Sequence, residues 1–372
     1  MLSVLGRAVA ARAIRPASLV SLVTLFLTGL ARAHVDYVTE EGAAGSPSEL
    51  FRAVFTDPVS LAILATGGIV VLALVAGYLR FASAVPDIEV ARQALESYRP
   101  YLPWMLRLSV GLPLVGAGFA GYLFSPSVSA SARLLQVSIG FLLLFGLGTR
   151  VVAAVGLVAY IVALAGDSTL LLASEYVAGF LAIIAVGPGQ PSADLLFRRL
   201  ILTDGTFASR LRGVITFGDL VSRAGIDHRA APLVLRVFLG LNFVYLGASQ
   251  KWLEPAQAAA VVSKYDLTAV VPVSPELWIF GAGLVEVGVG LALLTGTFTR
   301  GAAAAGFLIL STTLFGLPDD PVLAHITLFG LSSALLVTGS GRFALDASIL
   351  PELRRRLDTG LEAGADAQST AD

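Results

Sequence analysis

Nine apolar segments dominate the chain, near residues 58–79, 108–126, 134–149, 151–166, 168–187, 232–250, 277–296, 301–317 and 321–338. Most of them, at about 1.5 Å of rise per residue, reach across a hydrocarbon core about 30 Å thick. Backbone N–H and C=O groups meet no water there, so each crossing must be a helix that closes its own hydrogen bonds. The segments at 134–149 and 151–166 are short, so their ends must snorkel or thin the bilayer locally. Charge agrees with this reading. Only 14% of residues are charged, against about 25% in a soluble domain, and 56% are hydrophobic. The pattern predicts an all-α, multi-pass integral protein of the cell membrane with the lipid bilayer as its first partner. Net charge is -1, and no basic field points to nucleic acid.

The first 33 residues read as a secretory signal. Arg7, Arg12 and Arg15 precede the apolar stretch from Ala17 to Leu30, and Ala31-Arg32-Ala33 fits a small-x-small cleavage site. An uncleaved first helix is the alternative; in both cases the chain emerges outside before His34. From there, the loops expected inside carry 17 arginines, from Arg80 to Arg356. Those expected outside carry Arg52, Arg133, Lys251 and Lys264. This asymmetry follows the positive-inside rule and places the C-terminus in the cytoplasm. Within the longest inside loop, 188–231, the basic amphipathic stretch Leu195 to Ile215 either lies on the inner membrane surface or is a solvated linker.

The membrane part contains itself twice. LRLSVGLPLVGAGFAGYLFSP (106–126) aligns with LRVFLGLNFVYLGASQKWLEP (235–255), and GLGTRVVAAVGL (146–157) with GTFTRGAAAAGF (296–307). GPGQPSADLL (187–196) aligns with GSGRFALDAS (339–348). Each copy has four helices, an even number, so the copies share one orientation and form parallel repeats. The expected order is a signal peptide (1–33), an outer segment (34–57), and an extra transmembrane helix with its inner loop (58–101). A first four-helix unit (102–200), a cytoplasmic linker (201–231), a second unit (232–348) and a cytoplasmic tail (349–372) follow. Arg107 and Arg236 hold equivalent places at the inner boundary and read as snorkelling anchors. The many glycines read as close-packing positions between helices.

Polar groups survive mainly in the second copy. Glu286 lies about nine residues into its helix, roughly 14 Å deep by helical rise. An ionisable group at that depth is costly unless it is paired or faces a cavity. Asn242, Tyr245 and Ser249 share one helical face, and Lys251 and Trp252 sit at its outer end. His325 enters from the last span, and Ser311, Thr312 and Thr313 from the helix before it. Against Asn242, Tyr245, Lys251 and Glu286 the first copy has Pro113, Gly116, Tyr122 and Gln136; against His325 it has Glu175. That copy reads as structural. The cluster reads either as a polar pocket able to carry protons on Glu286 or His325, or as a network, such as Glu286 with Asn242 or Lys251, that fixes helix packing. Trp252 beside Lys251 also fits an interfacial anchor.

Cofactor chemistry is bounded by ligand types. The chain has 0 cysteines, which excludes disulfides, iron–sulfur clusters, thiolate zinc and c-type haem; its 3 histidines make a bis-histidine haem hard to build. No metal site is expected, with His34, the first residue after the signal, as the one candidate.

The run LRVFLGLNFVYLGASQKW, the glutamate in GLVEVGVGLALLTGTFTR and the ending GSGRFALD resemble the DoxX family of four-helix membrane proteins. The tandem arrangement looks like two DoxX-like units over roughly 102–348, the second the better match. The related DoxD protein is the membrane subunit of an archaeal thiosulfate:quinone oxidoreductase. The resemblance therefore implies the membrane subunit of a quinone-linked redox complex of this type, an oxidoreductase subunit with quinone as its cofactor and an outer-face protein as its partner. Glu286, His325 and Lys251 would then be the catalytic groups, and Asn242, Tyr245, Trp252 and Thr312 the quinone contacts. The alternatives are a non-catalytic scaffold or anchor for an outer-face partner and, less favoured, a small-molecule transporter.

Overall fold

The computed structural model describes residues 45–81, 85–129, 133–211, 218, 220–221, 228–319, 321–348 and 352. The expected signal peptide, His34 and nearly all of the tail lie outside these residues. Helix α1 (Pro47–Thr56) opens on a capping box, in which Ser46 Oγ accepts from Glu49 N and Glu49 accepts from Ser46 N. Its apolar stripe puts Leu50 and Val54 against Ala258, Val262, Leu277 and Phe280. α2 (Pro58–Phe81) is apolar on every side and buries Ser60 alone, as a helix bathed in lipid can. α3 (Pro86–Ser97) is amphipathic and leads into the first four-helix group: α4 (Leu102–Ala120), α5 (Arg133–Phe145), α6 (Thr149–Gly166) and α7 (Glu175–Val186).

A short helix α8 (Ala193–Leu202) leads towards the second group: α9 (Ala231–Gly247), α11 (Pro275–Thr295), α12 (Thr299–Gly316) and α13 (Val322–Thr338). Between α9 and α11 come a π-helical turn (Ala248–Leu253) and α10 (Pro255–Lys264). The π-helical turn belongs to the aligned stretch, and the second copy is longer from α10 onward. Five continuous helical runs are long and apolar enough to cross a membrane, and Arg133–Phe145, Glu175–Val186 and Val322–Thr338 are shorter apolar helices. The body is that of an all-α membrane protein.

Two expected spans are corrected. The segment placed at 108–126 is helical over 102–120. It ends at Gly121, whose φ of +94° suits a residue without a Cβ. Residues 122–129 then form a small antiparallel ribbon. The segment placed at 168–187 is divided into a 3-10 helix (Ser168–Ala173), capped by Asp167, and α7. Glu175 thus opens a helix in place of sitting within one.

Within each group the first helix crosses the second at glycines. A Cβ on Gly140 would lie 2.9 Å from Gly111 O, and one on Gly290 would lie 2.6 Å from Gly240 O. The groups join through α4 against α13 and α7 against α9. Leu106, Val110, Leu114, Phe180, Leu235, Leu239, Leu331 and Leu335 share one continuous core across that seam.

Both groups are closed alike at their arginine-rich end. Asp194 accepts from Gly148 N at 2.6 Å and Thr149 N at 2.9 Å; Asp346 accepts from Phe298 N at 2.6 Å and Thr299 N at 2.9 Å. Asp194 N donates to Gly146 O, and Asp346 N to Gly296 O. Arg150 Nε donates to Ile184 O and Arg300 Nε to Leu336 O, both at 2.9 Å. The aligned Thr-Arg and aspartate motifs are therefore the clasp that ties the ends of each group. Arg107 and Arg236 are not snorkelling anchors. Both are buried and donate to backbone carbonyls of the clasp loop, Arg107 to Pro191 O and Arg236 to Leu294 O and Phe343 O. Helix-end carbonyls lacking intrahelical partners are natural acceptors for them.

Candidate functional site

The membrane-embedded charges of the second group meet where α9 becomes π-helical. The wider turn carries Ser249, Gln250, Lys251 and Trp252, and π-turns of this kind are frequent at functional sites. Lys251 Nζ lies 3.3 Å from Glu286 Oε1 on α11, with both side chains mostly buried. Glu286 Oε2 is buried and has no hydrogen-bond partner among the described residues. α9 and α11 touch closely here, because a Cβ on Gly247 would lie 2.9 Å from Glu286 Cβ. Trp252 Nε1 donates to Phe280 O at 3.2 Å, and its ring stacks on Phe280 at 5.6 Å. Phe51 of α1 closes on both rings. The turn thus carries the ion pair at Lys251 and, one residue on, the aromatic cluster at Trp252.

Other expected members of the site stand apart from this pair. Asn242 does not bond Glu286. It faces the first group, where its amide donates to Leu172 O at 3.2 Å, Ser174 Oγ at 3.0 Å and Glu175 Oε2 at 3.2 Å. Tyr245 packs with Leu172 and Leu246 at the same seam. Thr312 is exposed on α12, its hydroxyl spent on Ile309 O. His325 is buried in α13 with Nδ1 3.3 Å from Pro321 O, on a helix that packs chiefly against α4 and α12. The structure thus joins Lys251, Glu286 and Trp252, and moves Asn242 into a second polar cluster.

Glu175 is the site residue that sequence reasoning passed over. It is buried at the seam, with Asn242 as its described hydrogen-bond donor. The signal was present as the glutamate aligned with His325, in a copy read as structural. In that first copy Gln136 fills the place of Glu286 as a packing group, accepting from Phe124 N and donating to Leu114 O and Tyr122 O.

Beyond the Lys251 end, the loops are pinned by exposed charge. Asp319 Oδ2 lies 2.8 Å from Lys264 Nζ and accepts from Tyr265 Oη at 2.9 Å. These bonds hold the Asp319 carboxyl below the usual carboxylate range, Lys264 contributing most, and the bond to Asp319 raises the Lys264 ammonium. No group of three or more metal-ligating side chains is found among the described residues.

Taken together, these features define a polytopic all-α membrane protein with an intramembrane lysine–glutamate pair at a π-turn. Its second group has a family as well: residues 231–319 match the DoxX model, so the chain carries a DoxX-family domain there. The match runs from α9 through α12 and takes in both Lys251 and Glu286. It does not reach the first four-helix group. No curated protein and no solved structure matches the chain.

Proposed function

We propose that this protein is the membrane subunit of a quinone-linked redox assembly and that the Lys251–Glu286 pair is where a quinone headgroup docks from the bilayer. The observation that carries the reading is the free Glu286 Oε2, a buried acceptor without a partner among the described residues, beside a lysine that can donate. A quinone carbonyl needs a donor and a quinol hydroxyl needs an acceptor, and the pair offers one of each. When bound, a quinone would accept two electrons and two protons. Lys251 would orient the carbonyl, Glu286 would hold and pass a proton, and the Trp252–Phe280 stack would flank the ring. The electrons would come from an outer-face redox protein, since a chain with no cysteine and three histidines has few ligands for a centre of its own. The arginine asymmetry orients this end outward and the clasps towards the cytoplasm. The first four-helix group, built with the same clasp, would be a diverged DoxX-like unit that braces the second.

One observation favours the scaffold reading. Gly247 brings Glu286 so close to α9 that the ion pair also seals the helix contact. Glu286→Gln separates the two. In purified, lipid-reconstituted protein, a proton-carrying or headgroup-binding Glu286 predicts loss of bound quinone at unchanged thermal stability. Glutamine hydrogen-bonds nearly as well as glutamate, so wild-type quinone content in this variant would refute the site and leave the scaffold. Gln136→Ala in the first copy should leave quinone content unchanged.

A further inference from the structure

A carboxyl and an amide meet at the seam between the two groups, and their hydrogen bonds do not balance. Glu175, 3% exposed, opens α7, and Asn242, 0% exposed, stands in α9. Asn242 Nδ2 donates to Leu172 O at 3.2 Å, Ser174 Oγ at 3.0 Å and Glu175 Oε2 at 3.2 Å. A backbone carbonyl only accepts, so Leu172 O fixes which end of the amide is nitrogen. Asn242 Oδ1, on the same amide carbon, is buried and has no hydrogen-bond partner among the described residues.

The carboxyl has no cation to meet it. Apart from its own backbone N–H, Asn242 is its hydrogen-bond donor among the described residues. The titratable groups facing it are phenols, Tyr176 on α7 and Tyr160 on α6, with Tyr122 of the ribbon beyond Tyr176. The Tyr160 hydroxyl is spent on Leu170 O at 2.6 Å. On α13, His325 has Nδ1 at Pro321 O; Arg107 of α4 and Arg236 of α9 are held at the clasps, and Lys251 pairs with Glu286. Ionised, Glu175 would be a buried charge without a counter-ion, and it would set a negative oxygen beside the idle amide oxygen. Protonated, it gains the donor that Asn242 Oδ1 lacks.

We propose that the seam binds a proton: Glu175 is held as the neutral acid, its Oε2 accepting from Asn242 Nδ2 and an O–H on Oε1 donating to Asn242 Oδ1. The proton is taken from water and forms that O–H bond. The pair ties the first copy to the second, and it occurs once. Where the second copy has Asn242 the first has Pro113, and where the first has Glu175 the second has His325. The inference is independent of the quinone reading, because neither Lys251 nor Glu286 takes part.

Infrared spectroscopy of the lipid-reconstituted full chain tests it, since the C=O stretch of a protonated carboxyl stands apart from carboxylate bands. Wild type at neutral pH should show such a band. Glu286→Gln should keep it, Glu175→Gln should lose it, and Asn242→Leu should shift it. Absence of the band in wild type, its survival in Glu175→Gln, or an unmoved band in Asn242→Leu would overturn the proposal. Thermal unfolding gives a second reading. Above about pH 4 a carboxyl in the unfolded chain gives up its proton while the folded seam keeps one, so wild type should lose stability with rising pH relative to Glu175→Gln. The tyrosines are common to both proteins and cancel in that comparison. Parallel pH profiles for the two would also overturn it.

Discussion

Asp346→Ala tests whether the GSGRFALD ending is structural or chemical. The carboxylate accepts three hydrogen bonds, from Phe298 N at 2.6 Å and from Thr299 N and Oγ1 at 2.9 Å each. Thr299 is 1% exposed, so its donors cannot turn to water once the carboxylate is gone. Phe298 is held at a φ of +49°, a strained conformation for a residue with a side chain, and the clasp helps keep it there. Removing a helix cap costs about 0.5–2 kcal/mol, and stranding a buried donor about 1–3 kcal/mol, so roughly 3 kcal/mol is expected after allowing for overlap. Asp194→Ala removes two such bonds, next to Gly148, which adopts its φ of +61° without strain. It should cost about 1 kcal/mol less. Asp346→Asn keeps one acceptor and should fall between wild type and alanine. The assay is thermal unfolding in detergent, read beside quinone content well below the transition. The clasp lies at the opposite end from Lys251, so the folded alanine variant should keep its quinone. An alanine variant as stable as wild type, or one that stays stable and loses quinone, would refute the structural assignment.

Gly290→Val would set a side chain 2.6 Å from Gly240 O, prise α9 from α11 and lower stability by about 3 kcal/mol, whereas Gly281→Ala, with nothing within 4 Å, should be neutral in the same assay. The Asp319 carboxyl is held below its unfolded value, so its contribution is present above about pH 4 and fades as pH falls through the lower folded value. Asp319→Asn should therefore flatten the acid limb of the melting-temperature profile slightly, the pair being solvent-exposed; an unchanged limb would deny the pin any role. A cysteine at Ser209, in a chain without its own, should resist an impermeant reagent in intact cells, and labelling there would reverse the proposed orientation. Sequencing of the purified N-terminus should begin at His34, and an intact Met1 would mean an uncleaved anchor.

Helix kind was legible because a bilayer admits so few solutions, whereas of the nine expected segments only five fall in described helical runs long and apolar enough to cross. Apolar length needed no knowledge of packing. Helix ends were less legible, since hydropathy does not distinguish a span from an apolar turn. YLFSP at 122–126 continues the apolar run of α4, yet Gly121 ends the helix and sends the chain into a ribbon. The repeat was visible as aligned glycines, Thr-Arg pairs and aspartates, but its meaning was not. Those residues meet only when loops distant in sequence return to one end, as Asp346 does to Thr299 across 47 positions.

The site divides along the same line. Lys251 and Glu286 could be paired from sequence because their helices are neighbours and both charges lie towards one end. Asn242 could not be placed, because a helix face alone does not say which bundle it meets. At its depth one side of α9 faces α11 and the other faces α7, and small residues decide which. Gly240 and Gly247 take the α11 side, leaving Asn242 to the seam, where Glu175 waits at the start of a helix that hydropathy had drawn as continuous. An amide donating to a buried carboxyl across two repeats is a contact neither repeat can make alone. The first copy thus keeps a polar residue that a reading of single units treats as a relic, and the amide nitrogen of the second copy's central asparagine finds its acceptors only across the seam between the two copies.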